Sequence, residues 1–188
     1  VSASGDKPIL ILTGPPGVGK TNVAEILAER SARAVHLESD VFFRFVRSGY
    51  VEPWKPESHE QNRTVMGIAA QAASGYAAAG YFTIVDGIVI PGWFLEPLRD
   101  VLHGAGHRVA YAVLRAPLSV CRARARARER EPLDESGVIE RLWQDFADLG
   151  DLEPNALEVG ERSPEETADL LARLLEEGTL TVDAASPP

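Results

Sequence analysis

One stretch constrains this chain more than any other: "GPPGVGKT", from Gly14 to Thr21. Before it runs "PILILT" (Pro8 to Thr13), whose apolar residues do not alternate, so it reads as a strand buried on both faces. After it, Val23, Ile26, Leu27 and Arg30 recur at helical spacing and predict a helix over Gly19 to Ser31. Between two such regular elements the glycines allow backbone turns that other residues resist. Successive N–H groups can then point inward and form a nest for an anion. The helix that begins there directs its positive dipole end at the same place.

The stretch is a full match to the P-loop pattern G-x-x-x-x-G-K-[ST]. It marks Gly14, Pro15, Pro16, Gly17, Val18, Gly19, Lys20, Thr21 and Asn22 as a nucleotide-binding segment. Lys20 is expected at the β- and γ-phosphates of ATP, and Thr21 offers its hydroxyl to Mg²⁺. GTPases, motor ATPases and kinases share this loop, so the rest of the chain must separate them.

Strand-like runs alternate with helical patterns along the remainder, the signature of βαβ units and a parallel sheet. Strands are expected at 34–39, 81–90 (turning at Asp86-Gly87), 107–117 and 156–160. Helices are expected at 40–47, 58–79, 118–131 and 136–149. Gly49, Pro53 and Pro56 interrupt the chain after the first of these, and Gly80 ends the second. Ser163, Pro164 and Glu166 form an N-cap, first-turn proline and capping box for a last helix that Gly178 closes after Glu177. The expectation is a single α/β domain, 1–188, of five parallel strands, with residues 182–188 as a disordered tail.

The length suits one domain with a substantial core. A net charge of -9 argues against a general nucleic-acid binder, while a local nest of N–H groups can still hold phosphate. Cys121, the one cysteine, cannot make an internal disulfide, so a cytoplasmic home is expected. No apolar run approaches the roughly 20 residues that span a bilayer. The opening "VSASGDKP" reads as a trimmed or appended lead-in.

Two carboxylates stand at strand ends, where ligands of a parallel sheet bind. Asp40, in "HLESD", is a candidate base for the proton of an attacking hydroxyl, with Glu38 as the near alternative. Asp40 could equally cap the helix after it. Asp86, in "TIVDG", stands where a Walker-B-like carboxylate would hold a water on Mg²⁺; an Asp-Gly pair also makes turns unaided. Gly87 is expected to permit close approach of an acceptor.

With these residues in view, the chain resembles the small P-loop kinases that include chloramphenicol phosphotransferase, shikimate kinase and gluconate kinase. The similarity runs from "GPPGVGKT" through "ESDVFFRFV" and "GYFTIVDGIVI" to "RAPLSVCRARARARER". Gly49, Tyr50, Pro53 and Trp54 match a "GY-x-x-P-W" stretch of gluconate-kinase-like proteins. The basic acceptor contacts of shikimate kinase are incomplete, which argues against that substrate. The resemblance implies a P-loop NTPase three-layer sandwich of the nucleoside-monophosphate-kinase type, with a helical lid over about 122–136. It implies Asp40 as the base, and ATP with Mg²⁺. The acceptor would be a hydroxylated small molecule such as a sugar acid or an antibiotic of the chloramphenicol type.

In "CRARARARER", Arg122, Arg126 and Arg130 fall on one side of a helix, with Arg124 and Arg128 nearly opposite, because each two-residue step turns about 200°. The resemblance assigns Arg124 to stacking on adenine and Arg128 to the transferring phosphate. A solvated face balancing Glu129, Glu131 and Glu135 is the other reading of the run. Arg44, one turn beyond Asp40, is a candidate acceptor contact, as is Trp54. Phe42, Phe43 and Phe45 add aromatic surface, at least two of them by core packing. His59 and Arg63 could face the same cleft or solvent. His36, His103 and His107 read as structural, and Cys121 as a packed helix residue. A nucleotide-dependent switch or regulatory ATPase remains the competing class.

Overall fold

A computed structural model describes residues 7–127 and 137–183. Six strands are found among them: β1 (Ile9–Thr13), β2 (Ala34–Glu38), β3 (Phe82–Asp86), β4 (Val109–Arg115), β5 (Ala156–Glu158) and β6 (Thr181–Val182). The helices are α1 (Lys20–Glu29), α2 (Ser39–Arg44), α3 (His59–Ala78), α4 (Leu95–Gly104), α5 (Leu118–Arg126), α6 (Val138–Gln144) and α7 (Pro164–Glu177). The sheet order is β2-β3-β1-β4-β5, all parallel, and β6 pairs antiparallel with the start of β4.

Every residue of β1 and β3 is buried, as the unbroken apolar runs require. Alternate residues of β1 serve two cores. Ile9 and Ile11 pack with α3, α4 and α6 residues such as Met66, Leu98 and Leu142. Leu10 and Leu12 pack with α1 and α7 residues such as Val23, Leu27 and Leu171. The result is three layers. Ala69, Ala70 and Ala73 are buried on α3, so that long helix presents a small-residue face to its core.

Helix ends follow local chemistry. Gly80, at φ 83°, accepts the left-handed turn after α3, and Tyr81 N–H and Gly80 N–H bond back to Tyr76 and Ala77 carbonyls. Ser163 and Glu166 form both bonds of the capping box, and Gly178 closes α7 at φ 74°.

Several expectations need correction. The α4 helix was not anticipated, because Pro91, Gly92 and Pro97 mask the Leu95, Leu98 and Leu102 spacing that buries it. The helix after β2 stops at Arg44, short of 47, and α6 stops at Gln144, short of 149. The third strand ends at Asp86 instead of continuing to 90. The sheet has a sixth, antiparallel strand, in which buried Val182 pairs with Val109. Residues 128–136, the greater part of the expected lid, and 184–188 lie outside the described residues. Among the described residues, no helix is long and apolar enough to cross a membrane.

Candidate functional site

β1 leads into α1 on one face of the sheet, while its neighbour β3 leads toward α4 on the other. Such a switch between adjacent strands opens a crevice at their C-terminal ends. The GPPGVGKT loop fills the β1 side of it. Gly14, Gly17 and Gly19 take φ of 140°, 80° and 108°, which side chains rarely adopt. Two of them also need the missing Cβ for space. A Cβ on Gly14 would strike the Leu114 carbonyl, and one on Gly17 the Cys121 carbonyl. The loop is thus wedged against β4 and α5, and Cys121 is a packing residue whose thiol burial pushes upward in pKa.

Lys20 is buried, and its ammonium donates to the carbonyls of Gly14 (2.9 Å) and Pro15 (3.2 Å). Its charge is folded back over the loop. Pro15, Pro16 and Val18 are buried, Gly19 and Thr21 half-buried, and Asn22 exposed.

Thr21 Oγ1 donates to Asp86 Oδ2 at 2.7 Å, joining the start of α1 to the end of β3. Asp86 is only 4% exposed. His36 Nε2, on β2, stands 3.3 Å from the same Oδ2. Among the described residues, Asp86 Oδ1 has no hydrogen-bond partner. A buried carboxylate oxygen without a donor is costly, and a cation or its water would relieve it. Hard oxygen donors such as Thr21 and Asp86 suit Mg²⁺, which keeps several waters and takes phosphate oxygens besides. The residues fit such a group. No cluster of three or more His, Cys, Asp or Glu among the described residues forms a protein-only metal cage.

The segment after Asp86 is held firmly. Gly87 N–H bonds to Leu12 O, Val89 N–H to Thr13 Oγ1 at 2.8 Å, and the buried Tyr111 hydroxyl to Val89 O at 2.8 Å. At Gly87 the space that a Cβ would take belongs to the Ser39 side chain, so α2 approaches closely there.

Asp40 is exposed in the first turn of α2. The N-cap position belongs to Glu38, which makes no side-chain cap bond, so the capping alternative for Asp40 is set aside. Glu38 pairs in register with Asp86 across β2 and β3. Arg44 is exposed on the same helix, one turn beyond Asp40. Phe43 is buried and Phe42 packs against the same core, while Phe45 is 69% exposed. Trp54 is half-buried and lines a groove with Lys55, Pro56, His59 and Trp93. Arg63 is exposed.

The arginines separate by face. Arg124 Nη1 donates to the Val18 carbonyl of the loop at 3.3 Å. Arg122 turns the other way and pairs with Glu140 of α6. Arg126 is exposed, and Arg128 and Arg130 lie outside the described residues. His36 is the contact that the sequence did not flag. Only the β2–β3 register, His36 beside Ile84 and Glu38 beside Asp86, makes His36 and Asp86 diagonal neighbours on one face.

The fold is that of small P-loop kinases. The tunicamycin resistance protein of Deinococcus radiodurans superposes with a TM-score of 0.69 at 22% identity, over 97% of this chain and 99% of that one. APS kinase of Mycobacterium tuberculosis, in complex with AMPPNP and APS, gives 0.66 at 19% identity, over 91% and 99%. Shikimate kinase of Acinetobacter baumannii, in complex with shikimate, gives 0.62 at 22% identity, over 95% and 98%. No curated protein matches the chain in sequence. The AAA domain family matches residues 9–150, the P-loop and the Asp40 and Asp86 strand ends included, and the chain belongs to that family.

Proposed function

We propose that the chain is a single-domain ATP-dependent kinase, residues 1–188, that moves the γ-phosphoryl group to a hydroxyl of a small molecule. The observation that carries this reading is Asp86: a buried carboxylate bonded to the loop's Thr21, with one oxygen unpartnered among the described residues. That pairing suits a loop built for a metal-bound triphosphate. Asp40, exposed in the first turn of α2 just beyond β2, supplies a base on the acceptor side. Structures of the same fold that hold AMPPNP and APS, or shikimate, support nucleotide and small-molecule chemistry on this scaffold.

Bound Mg²⁺ would neutralise charge on the β- and γ-phosphate oxygens. Thr21 would hold it through its hydroxyl, and Asp86 through a water. The 14–22 segment cradles the phosphates with the backbone N–H groups of its residues other than Pro15 and Pro16. Lys20 exchanges the Gly14 and Pro15 carbonyls for phosphate oxygens. Asp40 accepts the proton of the acceptor hydroxyl. Arg124 covers the base and Arg128 meets the transferring phosphate, using the planar guanidinium for stacking and for paired bonds. Arg44 and Trp54 contact the acceptor, a molecule such as a sugar acid or a chloramphenicol-type antibiotic. Cys121, buried and the one cysteine of the sequence, is compatible with the cytoplasm.

The test is a product screen: ATP with a panel of sugar acids, other hydroxylated metabolites and antibiotics, followed by mass spectrometry. A phosphorylated acceptor with the wild type, at least about 10²-fold less with Lys20→Ala, is the expected result. ATP hydrolysis of equal rate with every acceptor and with none would place the chain among switch ATPases instead.

A further inference from the structure

We propose that His36 is a positioning residue for Asp86, clamping one carboxylate oxygen so that the other stays available to the nucleotide's divalent cation. The inference rests on the Mg²⁺-nucleotide reading above. It starts from an asymmetry within one side chain. Asp86 Oδ2 receives the Thr21 hydroxyl at 2.7 Å and faces His36 Nε2 at 3.3 Å, while Oδ1 has no partner among the described residues.

A carboxylate is an acceptor only, so Nε2 must carry its proton to lie against it. Without His36, Oδ2 would keep a single donor, and rotation about the side chain's last bond could trade the two oxygens. With both donors on Oδ2, the orphaned state of Oδ1 is fixed by the protein itself. The Thr21 hydroxyl can donate its proton to Oδ2 and still offer a lone pair to a cation. Directly opposite Asp86 on β2 is Glu38, which cannot donate to it. His36, at 13% side-chain exposure, is therefore the donor that β2 contributes. Partners that orient a metal-holding group typically change metal affinity by about 10–100-fold when removed.

The experiment measures AMPPNP affinity by calorimetry at one pH, in Mg²⁺ and in EDTA, for the wild type and three variants. His36→Phe keeps a planar ring without the donor, His36→Leu removes both, and His36→Gln keeps an N–H at similar reach. Thermal midpoints are recorded for each. The expected result is that the Mg²⁺-dependent gain in affinity shrinks about 10-fold or more in Phe and Leu. Affinity in EDTA stays unchanged, and Gln retains most of the gain. Should both apolar variants fail to fold, His36→Asn, too short to reach Oδ2, is expected to show the same loss. An unchanged gain in the apolar variants overturns the proposal, as does a parallel fall in Mg²⁺ and EDTA, or a Gln variant no better than Phe. If the wild type itself gains nothing from Mg²⁺, the metal-nucleotide reading fails and takes this one with it. A wild-type gain that survives in the variants removes only His36.

Discussion

The Thr21 hydroxyl donates to Asp86 Oδ2 at 2.7 Å across 65 residues of sequence. This bond ties the glycine-rich loop at the start of α1 to the end of β3. Thr21→Val keeps the branched shape and removes the hydroxyl. The half-buried site then leaves Asp86 with His36 as its remaining side-chain donor among the described residues. Turnover should fall by about 10²-fold, by analogy with loss of one donor at a charged transition state. Thr21→Ser should restore most of it. A Thr21→Val protein with full turnover and unchanged Mg²⁺ requirement would show that the hydroxyl serves only packing.

Asp40 stands outside the N-cap position of α2. Glu38 occupies the N-cap position and no side chain bonds there. Asp40→Asn should leave the thermal midpoint and nucleotide affinity nearly unchanged, while turnover drops by about 10²–10⁴-fold. Glu38→Gln should cost much less. If Glu38→Gln proves the damaging change, the base belongs to the strand end and not to α2.

These residues also show what a sequence can disclose. GPPGVGKT was legible because its chemistry is local: three glycines, a lysine and a threonine act within one turn. β1, β3 and β4 were legible because burial on both faces leaves nearly unbroken apolar runs. The α4 helix was not, since prolines near its start hid a clear leucine spacing. β6 was missed because two residues carry no periodicity. His36 and Ser39 were missed for a different reason: their contacts with Asp86 and Gly87 depend on strand register and on how α2 meets β3. No single segment contains that information.

The arginine faces give a contrast within one helix. Arg124 bonds to Val18 O over the loop, whereas Arg122 pairs with Glu140 on α6. Arg124→Ala should weaken ATP binding by about 10-fold, since cation–π stacking contributes roughly 0.5–2 kcal/mol. Arg122→Ala should leave ATP affinity unchanged and lower stability by no more than about 1 kcal/mol, because the pair is still partly open to solvent. Arg128→Ala should lower turnover more than affinity. Calorimetry and steady-state rates on the three variants decide this. Equal affinity loss at Arg122 and Arg124 would mean that the face assignment is wrong.

The last prediction concerns acid. Arg115, at the end of β4, donates to Glu153 through Nη1 at 2.9 Å and Nη2 at 2.8 Å, and through Nε to the Phe146 carbonyl at 2.6 Å. It braces the connection between α6 and β5 beside Pro15 of the loop, which lines the same pocket. The two Arg115 bonds to Glu153, with a further one from Leu149 N–H, hold the Glu153 pKa down to about 2 from an ordinary 4.5. A lowered carboxylate pKa stabilises the fold fully above the unfolded value and progressively less as pH falls through the folded one. The contribution should therefore be whole at pH 7, begin to drain near 4.5, and be gone below about 2. Chemical unfolding of the wild type and Glu153→Gln from pH 7 down to the acid limit of folding tests this. The gap between their midpoints should be widest at neutral pH, narrow below about 4.5, and shrink with added salt because the carboxylate is exposed. A gap that is flat with pH would mean that Glu153 braces the connection by packing alone, and one that widens in acid would reverse the sign of the linkage.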